Sequence, residues 1–556
     1  MRRQQKLRIT VLGGNEEVGR NCTLIEYGDD ILIIDLGLQF PEEDMPGIDY
    51  IIPNLSYLRG KERNIRGVII THGHYDHIGA IPHVNQQLGS PTIYGTDLTL
   101  AIIQKRQVDF KEAGTLNLRK VDYDDQLQLG AFRVEFFRVN HNIPGSMGIV
   151  VHTPEGTVMH TGDFKFDYNP IGEDPADFGK IAELGRNGVL ALMADSTNAE
   201  REGHQISESI IMETLEDIVH KAKGRIIIGT FASLLSRVQL IIWVAEKFGR
   251  RVAIDGFSMK TNVEIAIQLG YLKANRGTIV SIEEALRMPN NKAIFCVTGA
   301  QGEDRAVLMR IANREHRFLR VEPGDTVIFS SSVIPGNERS VTRVKDLLYH
   351  EGANVIHYEM MDVHAGGHAK QEDLKLLHRL VSPRYLIPIE GNHSFLRVHA
   401  NAAVSGGFPR ENILIADNGQ VIEFWKGKGR VTEQRVPADY VFVDGLGVGD
   451  VSNVVLRDRQ QMSEDGMVVV IVTIRAKTGE LVGTPDIISR GFVYMKESKK
   501  LIDETGEQVR DILKRPNPDG AANETYIKAQ IRDDVGKYLF QKTERRPLIM
   551  PVVIEV

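Results

Sequence analysis

The amino-acid sequence predicts an α/β sandwich, a parallel-sheet lobe and a small α+β domain. Three features of its 556 residues lead there. Short strands joined by turn residues fill the first two hundred positions, a longer helix–strand alternation starts near Ser207, and a strand–strand–helix–helix–strand pattern closes the chain from Gln461. At roughly 150 residues per domain, the length itself leaves room for three or four domains.

Leu7 to Leu12 is a strand pattern ended by Gly13-Gly14. Cys22 to Tyr27 alternates apolar and polar residues, and Gly28-Asp29-Asp30 turns the chain into Ile31 to Ile34. Gly67 to Thr71 is a continuous apolar run, as expected of a strand buried on both faces. Phe132 to Val139, Met147 to His152 and Thr157 to Thr161 are further strands, with a helix over Leu98 to Ala113. Hairpins with flanking helices favour a sandwich over a doubly wound parallel sheet. From Ser207, helices at Ser207 to Lys223, Leu235 to Phe248 and Val263 to Leu269 alternate with strands at Gly224 to Gly229, Arg251 to Ile254, Ala293 to Val297 and Asp325 to Ser330. That rhythm implies a separate parallel sheet. Hairpin-like strands return at Tyr385 to Ile389 and Ile413 to Ile415, and Lys428 to Ser452 reads as a connector. Strands at Met467 to Ile474, Gly491 to Tyr494 and Val552 to Val556, with helices at Ser498 to Leu513 and Thr525 to Thr543, form the last domain.

Composition narrows the class. Hydrophobic residues at 42% and charged residues at 25% exclude wholesale disorder. The two cysteines, Cys22 and Cys296, exclude a disulfide framework and any CxxC metal pair, and read as reduced, buried thiols. No apolar run approaches the roughly 20 residues of a membrane span. Basic Met1 to Thr10 lacks a following apolar segment, so a soluble, cytoplasmic protein is expected. A net charge of −7 does not suggest non-specific coating of nucleic acid. Nor does it exclude nucleic acid, because a divalent metal and a local basic cleft outweigh a mildly acidic exterior.

The chemistry concentrates at His72-Gly73-His74-Tyr75-Asp76-His77, directly after the apolar run. Imidazole and carboxylate are ligands of Zn²⁺ and Mn²⁺. On a loop leaving a strand, His72 and His74 can converge on one ion. Asp76 and His77, at the start of the next helix, can face a second. The alternative is a His-rich surface loop, which the Gly79-Ala80-Ile81-Pro82 sequel fits less well.

HxHxDH after an apolar strand resembles the metallo-β-lactamase superfamily, and further parts of that pattern follow in order. Asp35 matches its early acidic position, His141 its isolated third-motif histidine and Asp163 its bridging carboxylate. The resemblance implies two ions about 3.5–4 Å apart, a pair suited to hydrolysis. His72, His74 and His141 would hold one, Asp76, His77 and His393 the other, and Asp163 would bridge. A lobe inserted after the fourth motif resembles the β-CASP branch, whose members cut nucleic acids. Asp195 resembles its motif A, His368 motif B and His393 motif C. With the C-terminal α+β domain, the whole chain resembles the ribonuclease J family.

The implied architecture is a metallo-β-lactamase αββα sandwich with an inserted β-CASP parallel-sheet lobe and a small C-terminal α+β domain. The sandwich would span 1–206 and 366–427, the lobe 207–365, a linker 428–460 and an oligomerisation domain 461–556. The implied function is a two-metal ribonuclease of RNA maturation and decay, including rRNA processing and mRNA decay. It would degrade RNA 5′ to 3′ from 5′-monophosphate ends and also cut internally. Zn²⁺ is the expected metal, with Mn²⁺ or Mg²⁺ as alternatives. Asp195 and His368 would transfer protons to and from the reacting groups, or else orient the ligands.

Phosphate binding is expected at His364-Ala365-Gly366-Gly367-His368, whose small residues let backbone amides approach an anion, and at Phe231-Ala232-Ser233 before a helix. Ser330-Ser331-Ser332 is a third candidate, and for both serine clusters simple capping is the alternative. Arg2-Arg3, Lys105-Arg106 and Arg250-Arg251 read as solvated faces, whereas Arg305, Arg310, Arg314, Arg317 and Arg320 are spaced for one side of a helix and an RNA track. Asp49 and Asp444, in Gly-flanked loops, are candidates for a structural Ca²⁺. Homodimers or homotetramers and an RNA-degradation complex are the expected assemblies, with no membrane. The rival functions are a DNA-directed β-CASP nuclease, a hydrolase of small esters and a non-catalytic RNA-binding scaffold.

Overall fold

The computed structural model describes residues 5–42, 44–110, 113–299, 306–333, 337–476, 478–493, 498–515 and 524–556. Arg2, Arg3 and Arg305 of the basic segments lie outside these residues. The chain divides into two units, one of residues 1–40 and 51–441, the other of 41–50 and 442–556.

Two sheets face each other in the first unit. An eight-stranded sheet runs Lys428–Arg435, Gln420–Trp425, Leu7–Gly13, Cys22–Tyr27, Asp30–Ile34, Ile65–Ile69, Thr92–Gly95 and Asn117–Lys120 from edge to edge. A six-stranded sheet runs Tyr385–Ile389, Ala191–Asp195, Gly156–His160, Met147–Thr153, Phe132–Arg138 and Gln126–Leu129. Alternation decides which side chains meet between them: Leu7, Ile9, Leu32 and Ile34 from the first sheet pack with Phe132, Val134, Ile149, Val151 and Ile387 from the second, all buried. The other face of the second sheet carries Phe137, Val150 and Leu192, covered by Ile181, Leu374 and Leu377 on the helices Phe178–Arg186 and Gln371–Val381. Each such side chain contributes about 1.5–3 kcal/mol of burial.

A second six-stranded sheet, Ile279–Val280, Arg251–Asp255, Ala293–Thr298, Ile226–Thr230, Thr326–Phe329 and Asn354–His357, is parallel throughout. Strands such as Ile226–Thr230 are buried at every position, which is why they read as unbroken apolar runs. Sandwich and inserted parallel lobe are therefore both present.

Several elements differ from the sequence reading. Ile413 makes one bridge to Leu386 rather than a strand. The expected linker 428–460 carries the edge strand Lys428–Arg435, paired with Gln420–Trp425, and the helix Asn453–Asp465. The helix expected to reach Ala113 ends at Gln107, with residues 111 and 112 outside the described chain. In place of a strand at Gly491 to Tyr494, whose last residue is outside the described chain, Asp486–Arg490 pairs with Met467–Ile474.

In the second unit the sheet order is Asp486–Arg490, Met467–Ile474, Leu548–Glu555. One face, with Val468, Val470 and Val472, packs under Val509 and Ile512 of helix Lys499–Leu513 and Ile531 and Val535 of helix Glu524–Thr543. The opposite face presents Met550, Val552 and Ile554, exposed by 43%, 38% and 46%. Cys22 and Cys296 are free and buried. Among the described residues no helix is long and apolar enough to cross a membrane.

Candidate metal centre

The carboxyl ends of Ile65–Ile69, Phe132–Arg138, Gly156–His160, Ala191–Asp195 and Tyr385–Ile389 lead into His72, His141, Asp163, Asp195 and Glu390. Nδ1 of His74 lies 3.0 Å from Nε2 of His72 and 3.1 Å from Nε2 of His141. Oδ2 of Asp163 lies 3.7 Å and 3.5 Å from those two Nε2 atoms. A tetrahedral Zn²⁺ with bonds of about 2.0–2.1 Å separates its donors by about 3.3 Å, so these four atoms fit a divalent ion. Burial holds the rings of His72 and His141 well below their ordinary pKa and that of His74 at about 4, which keeps them in the neutral, ligating form.

The proton arrangement around these rings is set from behind. His141 donates from Nδ1 to the carbonyl of Gly367 at 2.7 Å, leaving Nε2 as the lone-pair atom. Nδ1 of His72 lies 3.0 Å from Thr71 Oγ1, which donates to Oδ2 of Asp35 at 2.8 Å. Asp35 also accepts the Thr71 amide and the Nδ1–H of His77, each at 2.8 Å. With φ at +62°, Asp35 aims its carboxylate back under the histidine loop.

A second cluster shares Asp163. Nε2 of His77 lies 3.3 Å from Oδ1 of Asp163 and 3.5 Å from Oδ2 of Asp76. Asp163 therefore turns one oxygen to each cluster. Burial works against its charge, but His77 and His368 hold it well below the usual carboxylate range. Beside it, His368 Nδ1 pairs with Asp195 Oδ2 at 2.8 Å and stands 3.9 Å from Asp163 Oδ2. Burial opposes the charge on His368, yet Asp195 and Asp163 raise its pKa to about 9. The carbonyl of His368 accepts from Gln205 Nε2 at 3.0 Å and from Asn198 Nδ2 at 3.3 Å.

His393 is not brought into this centre. It is the first residue of the exposed start of helix His393–Ser405, with Nε2 3.3 Å from Nε of Arg397 and with Glu16 and Asp417 nearby. The physical reason is a chain reversal: Glu390 and Gly391 have φ of +60° and +130°, so the residue at the strand end faces inward and those beyond face out. The residue that this strand end turns towards Asp163 is Glu390, which the sequence motifs do not single out. It is buried, with its carboxyl in hydrogen-bonding reach of that of Asp163. Its signal was its place directly after strand Tyr385–Ile389, the same strand-end position that Asp195 and the metal loops occupy.

The two loops expected to bind phosphate come together, with the rings of Phe231 and His364 6.0 Å apart. Ser233 is not a cap, since helix Leu235–Lys247 has Leu234 at its N-cap without a side-chain bond. Ala365 and Gly367 are buried, and Gly366 is half-buried against Gln205. The Ser330 hydroxyl is buried and engaged, donating to Val363 O at 2.6 Å and bonding Arg237. The arginine track is not one helix face, because helix Val307–Ala312 holds Arg310 alone while Arg314 pairs with Glu351 and Arg317 lies over Phe318. Asp49 and Asp444, the candidates for Ca²⁺, both have protein partners. Asp49 accepts the Gly445 amide at 2.8 Å, the Arg459 guanidinium sits 2.5 Å from Asp444, and the two aspartates join no metal-ligating group among the described residues.

Residues 15–216 match the model of the metallo-beta-lactamase superfamily, 223–348 that of the ribonuclease J beta-CASP domain, and 454–556 that of the ribonuclease J C-terminal domain. Sandwich, inserted lobe and His/Asp clusters compatible with divalent metal thus define a metallo-β-lactamase-fold protein of the β-CASP type. Ribonuclease J2 of Bacillus subtilis (strain 168) is 38% identical over 99% of both chains. Ribonuclease J 1 of Streptococcus pyogenes serotype M3 is 39% identical, covering 98% of this chain and 97% of its own. Ribonuclease J of Thermus thermophilus is 40% identical, covering 99% and 96%. The chain belongs to the ribonuclease J family. A solved protein of unknown function from Enterococcus faecalis V583 shares the fold, with a TM-score of 0.53 over 77% of this chain and all of that one at 17% identity.

Proposed function

We propose that this chain is a two-metal ribonuclease, degrading RNA 5′ to 3′ from 5′-monophosphate ends and also cutting internally, in RNA maturation and decay in the cytoplasm. The observation that carries the reading is Asp163, with one oxygen toward His72, His74 and His141 and the other toward Asp76 and His77. When bound, the ions supply Lewis-acid stabilisation of the phosphate oxygens and activation of water. Asp195 fixes Nδ1 of His368, which leaves Nε2 free to exchange a proton with the reacting phosphodiester, whose leaving 3′-oxygen needs one. Ser233 and the loop His364 to His368 bind the terminal phosphate, and Phe231 and His364 flank it. RNA is chosen over DNA on the names of the relatives. Residues 1–206 and 366–427 serve as the catalytic sandwich, 207–365 as the substrate lobe and 461–556 as the surface for self-association.

The test is a Mn²⁺- or Mg²⁺-supplemented time course on one end-labelled RNA bearing 5′-monophosphate, triphosphate or hydroxyl, beside the matching DNA. Mononucleotides released first from the monophosphate RNA, and no turnover by folded His74→Ala or Asp163→Ala, are expected. Cleavage of the DNA alone would overturn the substrate, and turnover by metal-verified Asp163→Ala would overturn the centre.

A further inference from the structure

We propose that Glu390, not His393, is the ligand delivered by strand Tyr385–Ile389, and that it makes the second metal position an oxygen-rich site for Mn²⁺ or Mg²⁺ beside a nitrogen-rich Zn²⁺ position. The inference rests on the two-metal reading above and assigns the metal class of each position.

Placement comes from the sheet. Strand Tyr385–Ile389 runs parallel to Ala191–Asp195 with Ile389 opposite Asp195, so Glu390 emerges at the edge where Asp195 and Asp163 stand. Its carbonyl accepts the Ser196 amide at 3.3 Å, and the next amide, of Gly391, donates to Gly14 O at 2.8 Å. These bonds fix the left-handed turn that separates Glu390 from His393. A side chain at 391 could not follow, because a Cβ there would stand 2.8 Å from Phe395 Cδ2.

Surroundings give the chemistry. Glu390 is 6% exposed, and its Oε2 is buried without a hydrogen-bond partner. Its charged neighbours are the carboxylates of Asp163 and Asp195 and the ring of His77. Oε2 has no partner, and the hydrogen bond its carboxyl makes is to the Asp163 carboxylate, with no lysine or arginine among its charged neighbours. A buried carboxylate set against other carboxylates, with no basic side chain on it, is the environment of a cation ligand rather than of a structural ion pair. His393 is exposed beside Arg397, and its carboxylate neighbours are Glu16 and Asp417, not Asp76 or Asp163.

The donor sets then differ. The first position has three imidazole nitrogens and one carboxylate oxygen, from His72, His74, His141 and Asp163. The second has the His77 nitrogen with the carboxylates of Asp76 and Asp163, and the carboxyl of Glu390, in hydrogen-bonding reach of Asp163, would supply a third. Imidazole-rich sets suit Zn²⁺, whereas carboxylate-rich sets suit Mg²⁺ and Mn²⁺.

The experiment counts metal instead of turnover. Metal-stripped full-length protein is reloaded with Zn²⁺, Mn²⁺ or both, and bound metal is read by elemental analysis, titration calorimetry and the electron paramagnetic resonance of Mn²⁺. Wild type should hold one Zn²⁺ and one Mn²⁺. Glu390→Gln should keep the Zn²⁺ and lose Mn²⁺ affinity by about 10–100-fold, Glu390→His should take Zn²⁺ at both positions, and His393→Ala should match wild type. Two ions in wild type with undiminished Mn²⁺ binding in Glu390→Gln, or loss of the second ion in His393→Ala, would overturn the assignment alone. Fewer than two ions in wild type would overturn the two-metal reading and this proposal with it.

Discussion

His141 donates from Nδ1 to the carbonyl of Gly367 across 2.7 Å, and a Cβ built on Gly367 would stand 2.5 Å from Cε1 of the same ring. The loop that follows the inserted lobe is thus pressed against a histidine of the sandwich. A Cβ at Gly366 would likewise stand 2.7 Å from Nε2 of Gln205. The small residues of His364-Ala365-Gly366-Gly367-His368 are explained first by this close approach, which lets one loop hold His141 by its backbone and aim His368 at Asp195.

Gly367→Ala should therefore act through metal binding. The added methyl forces the loop off His141 and removes the bond that sets its proton position. Loss of such a supporting partner costs about 10–100-fold in metal affinity. Zn²⁺ titration of the folded variant measures it, and wild-type affinity would show that the ring is held without this loop.

Much of this centre was legible because its residues sit at strand ends next to apolar runs. His72, His74, Asp76, His77, His141 and Asp163 are brought together as their order implied. The residue that strand Tyr385–Ile389 delivers to this centre was not legible in the same way. A histidine three positions beyond Glu390 fitted the motif, and only the left-handed φ values at 390 and 391 show which side chain turns inward. The linker reading failed for a related reason. Strand Lys428–Arg435 lies at a sheet edge with mostly exposed residues, so it lacks the apolar pattern of the buried strands. The arginine track required a long helix where six residues form one.

The joint between sandwich and lobe carries a buried charge chain. Lys165 Nζ lies 3.2 Å from Glu208 Oε1, Glu208 Oε2 lies 2.9 Å from Arg237 Nη2, and Arg237 Nη1 donates to Val363 O at 2.6 Å, one residue before His364. Burial opposes the charge on Glu208, but Arg237 and Lys165 lower its pKa to about 2. A carboxyl depressed in the folded state stabilises above its unfolded pKa, and that contribution, about 3 kcal/mol, is lost as pH falls from near 4.5 towards 2. Urea unfolding across pH should show this acid limb in wild type and a flatter one in Glu208→Gln. At neutral pH, Arg237→Met should cost about 3 kcal/mol, because it removes one of the two cations that hold buried Glu208 and leaves Lys165 alone on it.

Ser233 sits beside Phe231, whose ring meets His364, and it does not cap the following helix. If its hydroxyl holds the terminal phosphate, Ser233→Ala should reduce the preference for 5′-monophosphate over 5′-hydroxyl RNA by about tenfold, the worth of one hydrogen bond to a charged group. Internal cutting should be unaffected. Competition between the two labelled RNAs measures the ratio, and an unchanged ratio would move the phosphate contact elsewhere.

The C-terminal sheet has one face under two helices, and among the described residues the other face leaves apolar side chains exposed. Along Met467–Ile474 every second residue is buried while its neighbours are half-buried, and the edge strand Leu548–Glu555 exposes Met550, Val552 and Ile554. An edge strand with an apolar face is a ready template for another chain, and the proposed self-association supplies one. Val552→Lys combined with Ile554→Lys should shift sedimentation towards monomer without lowering the unfolding midpoint, since neither side chain belongs to the buried core on the helix side. Charge on this face removes the gain from covering three apolar side chains, which is several kcal/mol at about 25 cal/mol per Å². An oligomer that survives both substitutions would place the contact on another surface.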